Sequence, residues 1–257
     1  SHGKLIIIRI ENNLGFAGGT NVGIKYVLEK ENFRYVLLLN NDTIASPDFL
    51  TRMIEVQEED KEIGIVGGKI YYYHDPERIW YGGGKLSLWK AFSYHQRYGK
   101  VEDESAKDNS KDSKGVIEAT FITGCLMLIR KELLQNIGLL REDYFLCLED
   151  TDFCYQTLKR GWKMKVNLEA KIWHKVAAGK GGESSLVNSY YITRNRLFFG
   201  FETVQGLRYK VAFGLFFFST RPIRLLMWAI SNKKPVAKGT ILGIRDFLTG
   251  KKGQGIL

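Results

Sequence analysis

The chain has 257 residues, 44% of them hydrophobic and 26% charged, with a formal net charge of +10. That composition excludes a wholly disordered or collagen-like chain, and the length suits one large domain or two small ones. The charge is uneven: residues 201–257 hold ten Lys or Arg and two acids, a local +8, which leaves +2 on residues 1–200. A basic tail is a device for meeting an anionic partner. Cys125, Cys147 and Cys154 are too few, and odd in number, for a disulfide scaffold, so a reducing compartment is expected. The opening Ser1-His2-Gly3 lacks Met and is not followed by the basic region, apolar core and cleavage site of a secretory leader.

Leu5–Ile10 is a β-branched run expected to form a buried strand. Asn12–Gly23, rich in Gly and Asn, reads as a turn entering a helix, capped by Thr20 or Asn21 and running toward Lys30. Tyr35–Leu39 predicts a second strand, stopping at Asn40-Asn41-Asp42-Thr43. Ser46-Pro47-Asp48 opens another helix, with Pro47 at its first position, where the missing N–H costs nothing. Ile63–Val66 and Lys69–Tyr73 predict further strands, and this strand and helix spacing predicts an α/β fold with a largely parallel sheet.

Residues 99–115 are a polar, low-complexity stretch with almost nothing to bury, and read as a loop. Residues 116–130 return to strand character around Thr123-Gly124, and Glu149–Arg160 predicts a helix ended by Gly161. Val166–Leu168 and Lys171–His174 are short strand candidates, and from Val187 onward the pattern is helical. Residues 211–230 are the most apolar segment, but Arg221-Pro222 and Arg224 interrupt it, so neither half is expected to reach spanning length. Helices with basic flanks of this kind suit a membrane interface; a buried helix pair is the alternative.

Four segments offer chemistry. An Asp at a strand's carboxyl end, such as Asp42, can hold a divalent cation and through it a diphosphate, though Asn40-Asn41-Asp42 is also a good turn. Glu149-Asp150-Thr151-Asp152 puts three carboxylates at a helix start. Capping explains part of this; their mutual repulsion raises pKa values and suits a general base. The glycines of Asn12–Gly23 let a ligand approach the backbone, or make a plain turn, and they match neither the dinucleotide fingerprint nor the phosphate-binding P-loop. His174 follows a strand and is either structural or a ligand. No zinc-ligand spacing and no Gly-x-Ser-x-Gly elbow occurs.

In this order, NNLGFAGGTNVGI, LLLNNDT, TGCLMLIRKELL, YFLCLEDTDFCYQTLKRGW, WHKVAAG and YYITRNRLFF resemble the family 2 glycosyltransferases of the GT-A fold. The nearest likeness is to rhamnosyltransferase-type bacterial and archaeal members that build surface polysaccharides. The resemblance covers Leu5 to Asn195 and implies an α/β GT-A domain over residues 1–200, with a mostly parallel central sheet flanked by helices. It leaves residues 201–257 as a C-terminal helical extension, a basic apolar tail suited to an anionic membrane surface. Asp42 matches the family's metal-binding acid, with Asn40 in place of the first acid of its Asp-x-Asp element, and His174 matches a residue that assists the Mg²⁺ or Mn²⁺ ion. Asp150 matches the general base, with Glu149 beside it. Asn13, Gly15, Gly18, Asn21, Asn40, Asn41 and Gly124 match positions that line the nucleotide-sugar, and Arg194 or Lys175 are cations that would assist diphosphate departure.

The implied reaction is an inverting transfer of a sugar, rhamnose among the candidates, from a UDP-, dTDP- or GDP-sugar to a saccharide or lipid-linked acceptor on the cytoplasmic face of a membrane. The family's usual first strand–helix–strand unit, about forty residues, has no counterpart before Leu5. The chain is therefore expected either to be a fragment or to have an incomplete base site, and a missing central strand would leave an open sheet edge. A catalytically inactive nucleotide-sugar or glycan-binding module is the alternative. Nucleic-acid binding ranks last, because no nucleic-acid motif accompanies the basic residues.

Overall fold

The computed structural model describes residues 5–29, 32–101, 115–175, 185–231 and 233–255. Most of the polar stretch 99–115, and Gly179–Gly182, lie outside the described residues. In chain order the elements are α1 (Gly15–Leu28), β1 (Tyr35–Leu39), β2 (Thr43–Ala45), α2 (Phe49–Glu59), β3 (Ile63–Tyr72), β4 (Asp75–Tyr81), β5 (Gly84–Ser87) and β6 (Phe92–His95). Then follow β7 (Val116–Glu118), β8 (Leu126–Arg130), α3 (Lys131–Ile137), α4 (Glu149–Lys159), β9 (Lys163–His174), α5 (Leu186–Phe198), α6 (Leu207–Ile230) and α7 (Lys234–Leu248).

The main sheet runs β1-β8-β3-β9-β2, with β4 on β3 and β7 on β9. Among the described strands only β3 and β9 pair in parallel; the other ladders are antiparallel. The expectation of a mostly parallel sheet is therefore corrected to a mixed one. The strand–helix–strand spacing did set direction: β1 and β3 point the same way. They are not neighbours, because β8 inserts between them, antiparallel to both. Sequence spacing fixes the direction of a crossover but cannot show which later strand enters the gap.

Two pairs of predicted short strands fuse. Ile63–Val66 and Lys69–Tyr73 form the single strand β3, and Val166–Leu168 and Lys171–His174 form β9. The β3–β9 register slips between Gly68 and Lys69, which pair with Asn167 and Lys171. A Cβ on Gly68 would sit 2.5 Å from the Ala170 carbonyl oxygen, so the bulge requires glycine there.

Leu5–Ile10 is not a strand. It joins no ladder and its side chains face solvent, with Leu5 83% and Ile7 84% exposed. β-branched composition favours extended backbone, but a strand needs a partner edge. The structure presents an open one on β1, whose described pairing is to β8 alone. The first helix starts at Gly15 rather than at Thr20 or Asn21, and neither residue caps it.

Two apolar clusters form the interior. One packs both faces of the sheet under α1 to α4; the other joins Tyr144, Leu148 and Tyr155 to α5 and α6 through Phe198, Phe199, Phe213 and Phe217. α7 lies close on α5: a Cβ on Gly239 or Gly243 would come within 2.3 Å of Leu186 O or 2.7 Å of Tyr190 O. Contrary to expectation, α6 is one continuous 24-residue helix through Pro222. Pro222 deletes a single helical hydrogen bond, which does not offset the gain from burying Phe213 and Phe217 along one face. By length and composition α6 is able to cross a membrane, and only 17% of its most apolar stretch is buried in the protein.

Candidate active site

The carboxyl ends of β1, β3 and β9 come together at one edge of the sheet, where ligands of open α/β sheets bind. β1 ends at Leu39 and hands Asn40 to this edge, where its N–H donates to Cys125 O at 3.1 Å. β2 then pairs Thr43 with His174, and the Lys175 N–H donates to Asp42 O at 3.0 Å. Antiparallel pairing of two distant segments thus places the His174 Nε2 3.1 Å from Asp42 Oδ1 and 3.3 Å from Asn40 Nδ2. Asn41 points out to solvent.

A donor and an acceptor compete for one ring nitrogen, and a neutral imidazole nitrogen satisfies only one of them. Burial lowers the His174 pKa below its ordinary value, against the pull of Asp42, so the ring is neutral at pH 7. Its buried Nδ1 has no hydrogen-bond partner. Trp80 stands edge-on to the ring at 5.1 Å, with its own buried Nε1 unpartnered. A neutral imidazole and a carboxylate converging at 3.1 Å suit a divalent cation that takes its other ligands from a diphosphate and water. Among the described residues no group of three or more His, Cys, Asp or Glu gathers into a self-sufficient metal site.

The second centre is the start of α4. Asp150 Oδ2 accepts from the Gly124 N–H at 3.1 Å, and Oδ1 accepts from the Thr151 N–H at 2.7 Å. Glu149 is buried, and its Oε2 has no partner. Burial, then repulsion from Asp150, pushes the Glu149 carboxyl well up; burial also raises Asp150, but backbone donors oppose it. Burial thus acts more strongly on Glu149 than on Asp150, which is the more solvent-accessible of the two and the one held by backbone donors. The third acid leaves the cluster: Asp152 is 2% exposed and turns toward Arg141, 3.9 Å away. Both centres lie within electrostatic reach of Cys125, whose thiol is pushed up first by burial and then by Asp42 and Asp150.

The loop that delivers Glu149 and Asp150 is strained. Phe145, Cys147 and Leu148 have φ of 62°, 68° and 70°, the left-handed region that non-glycine residues avoid. Asn195 on α5 holds it: its Nδ2 donates to the carbonyls of Tyr144, Leu146 and Cys147 at 2.9, 2.7 and 2.9 Å. The Phe16 N–H donates to Phe145 O at 2.7 Å, and a Cβ on Gly15 (φ 70°) would fall 2.1 Å from that same oxygen.

A groove of 330 Å³ opens beside these centres, between α1 and the outer edge of β1, lined among others by Gly19, Gly23, Val36, Leu38, Asn40 and Gly124. The structure brings Asn40 and Gly124 together in this groove. It does not bring Asn21: that side chain is buried and bonded to Leu140 and Glu142. Asn13 accepts from the Gly15 N–H as part of the turn before α1, and Gly18 packs on Leu14. The groove face of α1 is Gly19 and Gly23, four apart on one helical side, a phase visible only once the helix starts at Gly15. Arg194 is excluded from assisting a ligand: it is fully buried, stacks on Tyr190 and Tyr191, and donates to Tyr144 O at 3.2 Å. Sequence reasoning gave no role to Asn195, which carried no signal beyond its place in YYITRNRLFF.

A mixed sheet flanked by helices, with acidic centres at its strand ends, is the GT-A fold. The crystal structure of GalNAc-T7 with UDP, GalNAc and Mn²⁺ aligns with a TM-score of 0.53 at 14% identity, covering 80% of this chain and 41% of that one. Residues 2–196 match the family described as glycosyltransferase like family 2, and the chain belongs to that family. Similar curated proteins include the low-salt glycan biosynthesis hexosyltransferase Agl10 of Haloferax volcanii, 28% identical over 160 residues, 61% of this chain and 47% of that protein. The poly-beta-1,6-N-acetyl-D-glucosamine synthase of Staphylococcus aureus is 25% identical over 177 residues, 69% of this chain and 38% of that protein. The chain thus spans less than half the length of either relative.

Proposed function

We propose that the chain carries the sugar-transfer site of an inverting, metal-dependent glycosyltransferase that acts in glycan assembly at a membrane. The observation that carries this reading is geometric: a partly exposed Asp150, held by the Gly124 and Thr151 N–H groups next to the buried Glu149, beside the Asp42–His174 pair at the same end of the sheet.

Asp150 takes the proton of an acceptor hydroxyl, and the freed oxygen attacks the anomeric carbon of the donor. The bond from that carbon to the diphosphate breaks with inversion, and a nucleoside diphosphate leaves. Burial and the neighbouring Asp150 push Glu149 toward its neutral form, which limits the charge next to the base. Asp42 and His174 would hold Mg²⁺ or Mn²⁺, which supplies charge compensation to the departing diphosphate. Asn40, Gly124 and the glycine face of α1 line the space for the nucleotide-sugar. α6 lies in the membrane interface, its exposed Val211, Leu215, Phe218, Leu226 and Ile230 against lipid and the basic residues of the tail at the headgroups. The reading takes a UDP-, dTDP- or GDP-sugar as donor and a lipid-linked or saccharide acceptor at the cytoplasmic face.

The test is sugar transfer from that donor panel to lipid-linked acceptors, with Mn²⁺ and with chelator. Asp150→Asn is expected to lose about 10²–10⁴-fold in kcat while still binding nucleotide by calorimetry. Equal turnover by parent and Asp150→Asn refutes the assignment of the base, and nucleotide-sugar binding without turnover by the parent makes the chain a binding module.

A further inference from the structure

α6 meets the body of the protein through a cluster of cations with no acid among them. Arg221, on the buried face of α6, is 7% exposed, yet among the described residues it has no hydrogen bond or ion pair, and its guanidinium lies over the faces of Phe217 at 4.6 Å and Trp228 at 6.0 Å. Its buried Nε has no hydrogen-bond partner. Arg196, at the end of α5, is 8% exposed and spends Nε and Nη2 on a single acceptor, the Lys90 carbonyl, at 2.9 and 2.7 Å. The Phe216 ring carries the Arg196 guanidinium at 5.4 Å and the Lys90 ammonium at 5.9 Å. Arg224 follows Arg221 one turn later, on the exposed side.

None of Arg196, Arg221 or Arg224 has a described carboxylate within ion-pair distance, whereas the buried Arg194 nearby has its acceptors supplied. Desolvation, with repulsion from Arg221 and Arg224, pulls Arg196 down to about 9, and desolvation with Arg224 lowers Arg221. Buried unpaired cations are costly unless an anion completes them.

The cluster also borders the candidate active site. Arg196 stacks on Phe92 at 5.2 Å, and the next residue, Ser93, hydrogen-bonds Thr151 at 2.7 Å, beside Asp150. Exposed apolar residues of α6 run outward from the same place.

We propose that Arg196, Arg221 and Arg224, with Lys90 at the rim, form a phosphate site for a lipid bearing a terminal phosphate or diphosphate, whose hydrocarbon lies along the exposed face of α6. This rests on the sugar-transfer reading only for the lipid's role as acceptor; the site itself stands on the unpaired arginines. Several cations match a phosphomonoester or diphosphate, which carries more charge than the single charge of a phosphodiester headgroup, and planar guanidinium groups suit its oxygens.

The test is co-sedimentation of the full chain with vesicles, which needs no turnover. Three compositions are compared: phosphatidylcholine alone, phosphatidylcholine with a polyprenyl phosphate, and phosphatidylcholine with phosphatidylglycerol at matched surface charge. Binding to the polyprenyl-phosphate vesicles is expected to be the tightest and to be competed by inorganic pyrophosphate. Arg224→Gln, at an exposed position, is expected to weaken it by about tenfold, and Arg221→Gln by more, with binding to phosphatidylcholine unchanged. Thermal melting reports whether Arg221→Gln folds; Arg224→Gln carries the test if it does not. Equal binding to phosphatidylglycerol vesicles, or a folded Arg224→Gln that keeps its full preference, overturns the proposal. Loss of transfer in Asp150→Asn with vesicle binding intact separates failure of this site from failure of the catalytic reading.

Discussion

Replacing Asn195 by Ala tests whether α5 holds the candidate base in place. One amide faces the carbonyls of Tyr144, Leu146 and Cys147 at 2.7–2.9 Å, but an NH₂ group has only two hydrogens, so it supplies the equivalent of two full hydrogen bonds. The amide is oriented by Arg194, whose Nε donates to Asn195 Oδ1 at 3.0 Å. Removing it strips acceptors in a loop whose Phe145, Cys147 and Leu148 all sit at positive φ, each held there at a cost of about 1–3 kcal/mol. Leaving buried carbonyls unsatisfied costs about 1–3 kcal/mol apiece, so Asn195→Ala is expected to lose about 2–4 kcal/mol of stability. The Arg194 and Phe16 contacts to the same loop remain, which limits the loss. Because the loop leads directly into Glu149 and Asp150, kcat is expected to fall by about tenfold or more, with donor KM little changed. Urea denaturation and steady-state transfer kinetics read both quantities. A variant within about 0.5 kcal/mol of the parent and with full kcat refutes the reasoning, since surface-like tolerance is incompatible with a buried three-carbonyl clamp.

Gly15→Ala demands a positive φ from alanine and drives its Cβ into the Phe145 carbonyl, so circular dichroism melts are expected to drop and the Phe16–Phe145 hydrogen bond to break; an unchanged melt contradicts this. Asp152 titrates higher in the folded protein, raised from 3.8 to about 6 chiefly by burial. Its stabilising contribution is therefore present below the unfolded pKa and is lost as pH rises through about 6. Asp152→Asn removes that loss. Its stability relative to the parent is expected to improve by about 2–3 kcal/mol between pH 4 and pH 7 in urea denaturation, and a pH-independent difference counts against it.

Local chemistry made much of the molecule legible. The β1 run ending in Asn40-Asn41-Asp42, the acidic start of α4 and the helical tail follow from periodicity and from residues that favour turns and caps. These signals act over a few residues, so the chain carries them before it folds. The likeness of ordered motifs pointed to the right family, and Asp42, His174, Glu149 and Asp150 were marked as candidates for reasons of type and spacing.

Other outcomes belong to tertiary structure alone. Leu5–Ile10 has every local mark of a strand and is not one, because strand formation needs a partner edge and composition supplies none. The sheet is mixed because β8, arriving late in the chain, occupies the gap between β1 and β3. Asn21 and Asp152, plausible at a site by sequence, are drawn to partners around Leu140 and Arg141. Asn195 and Arg221 gained their meaning only from what surrounds them: carbonyls for one, and for the other a buried Nε with no hydrogen-bond partner among the described residues. Sequence alone determined which residues were chemically able to form a site, because ionisation and turn preference reside in the residue itself. The tertiary structure decided which of them meet, because burial, pairing and electrostatic reach depend on neighbours that are distant in the chain.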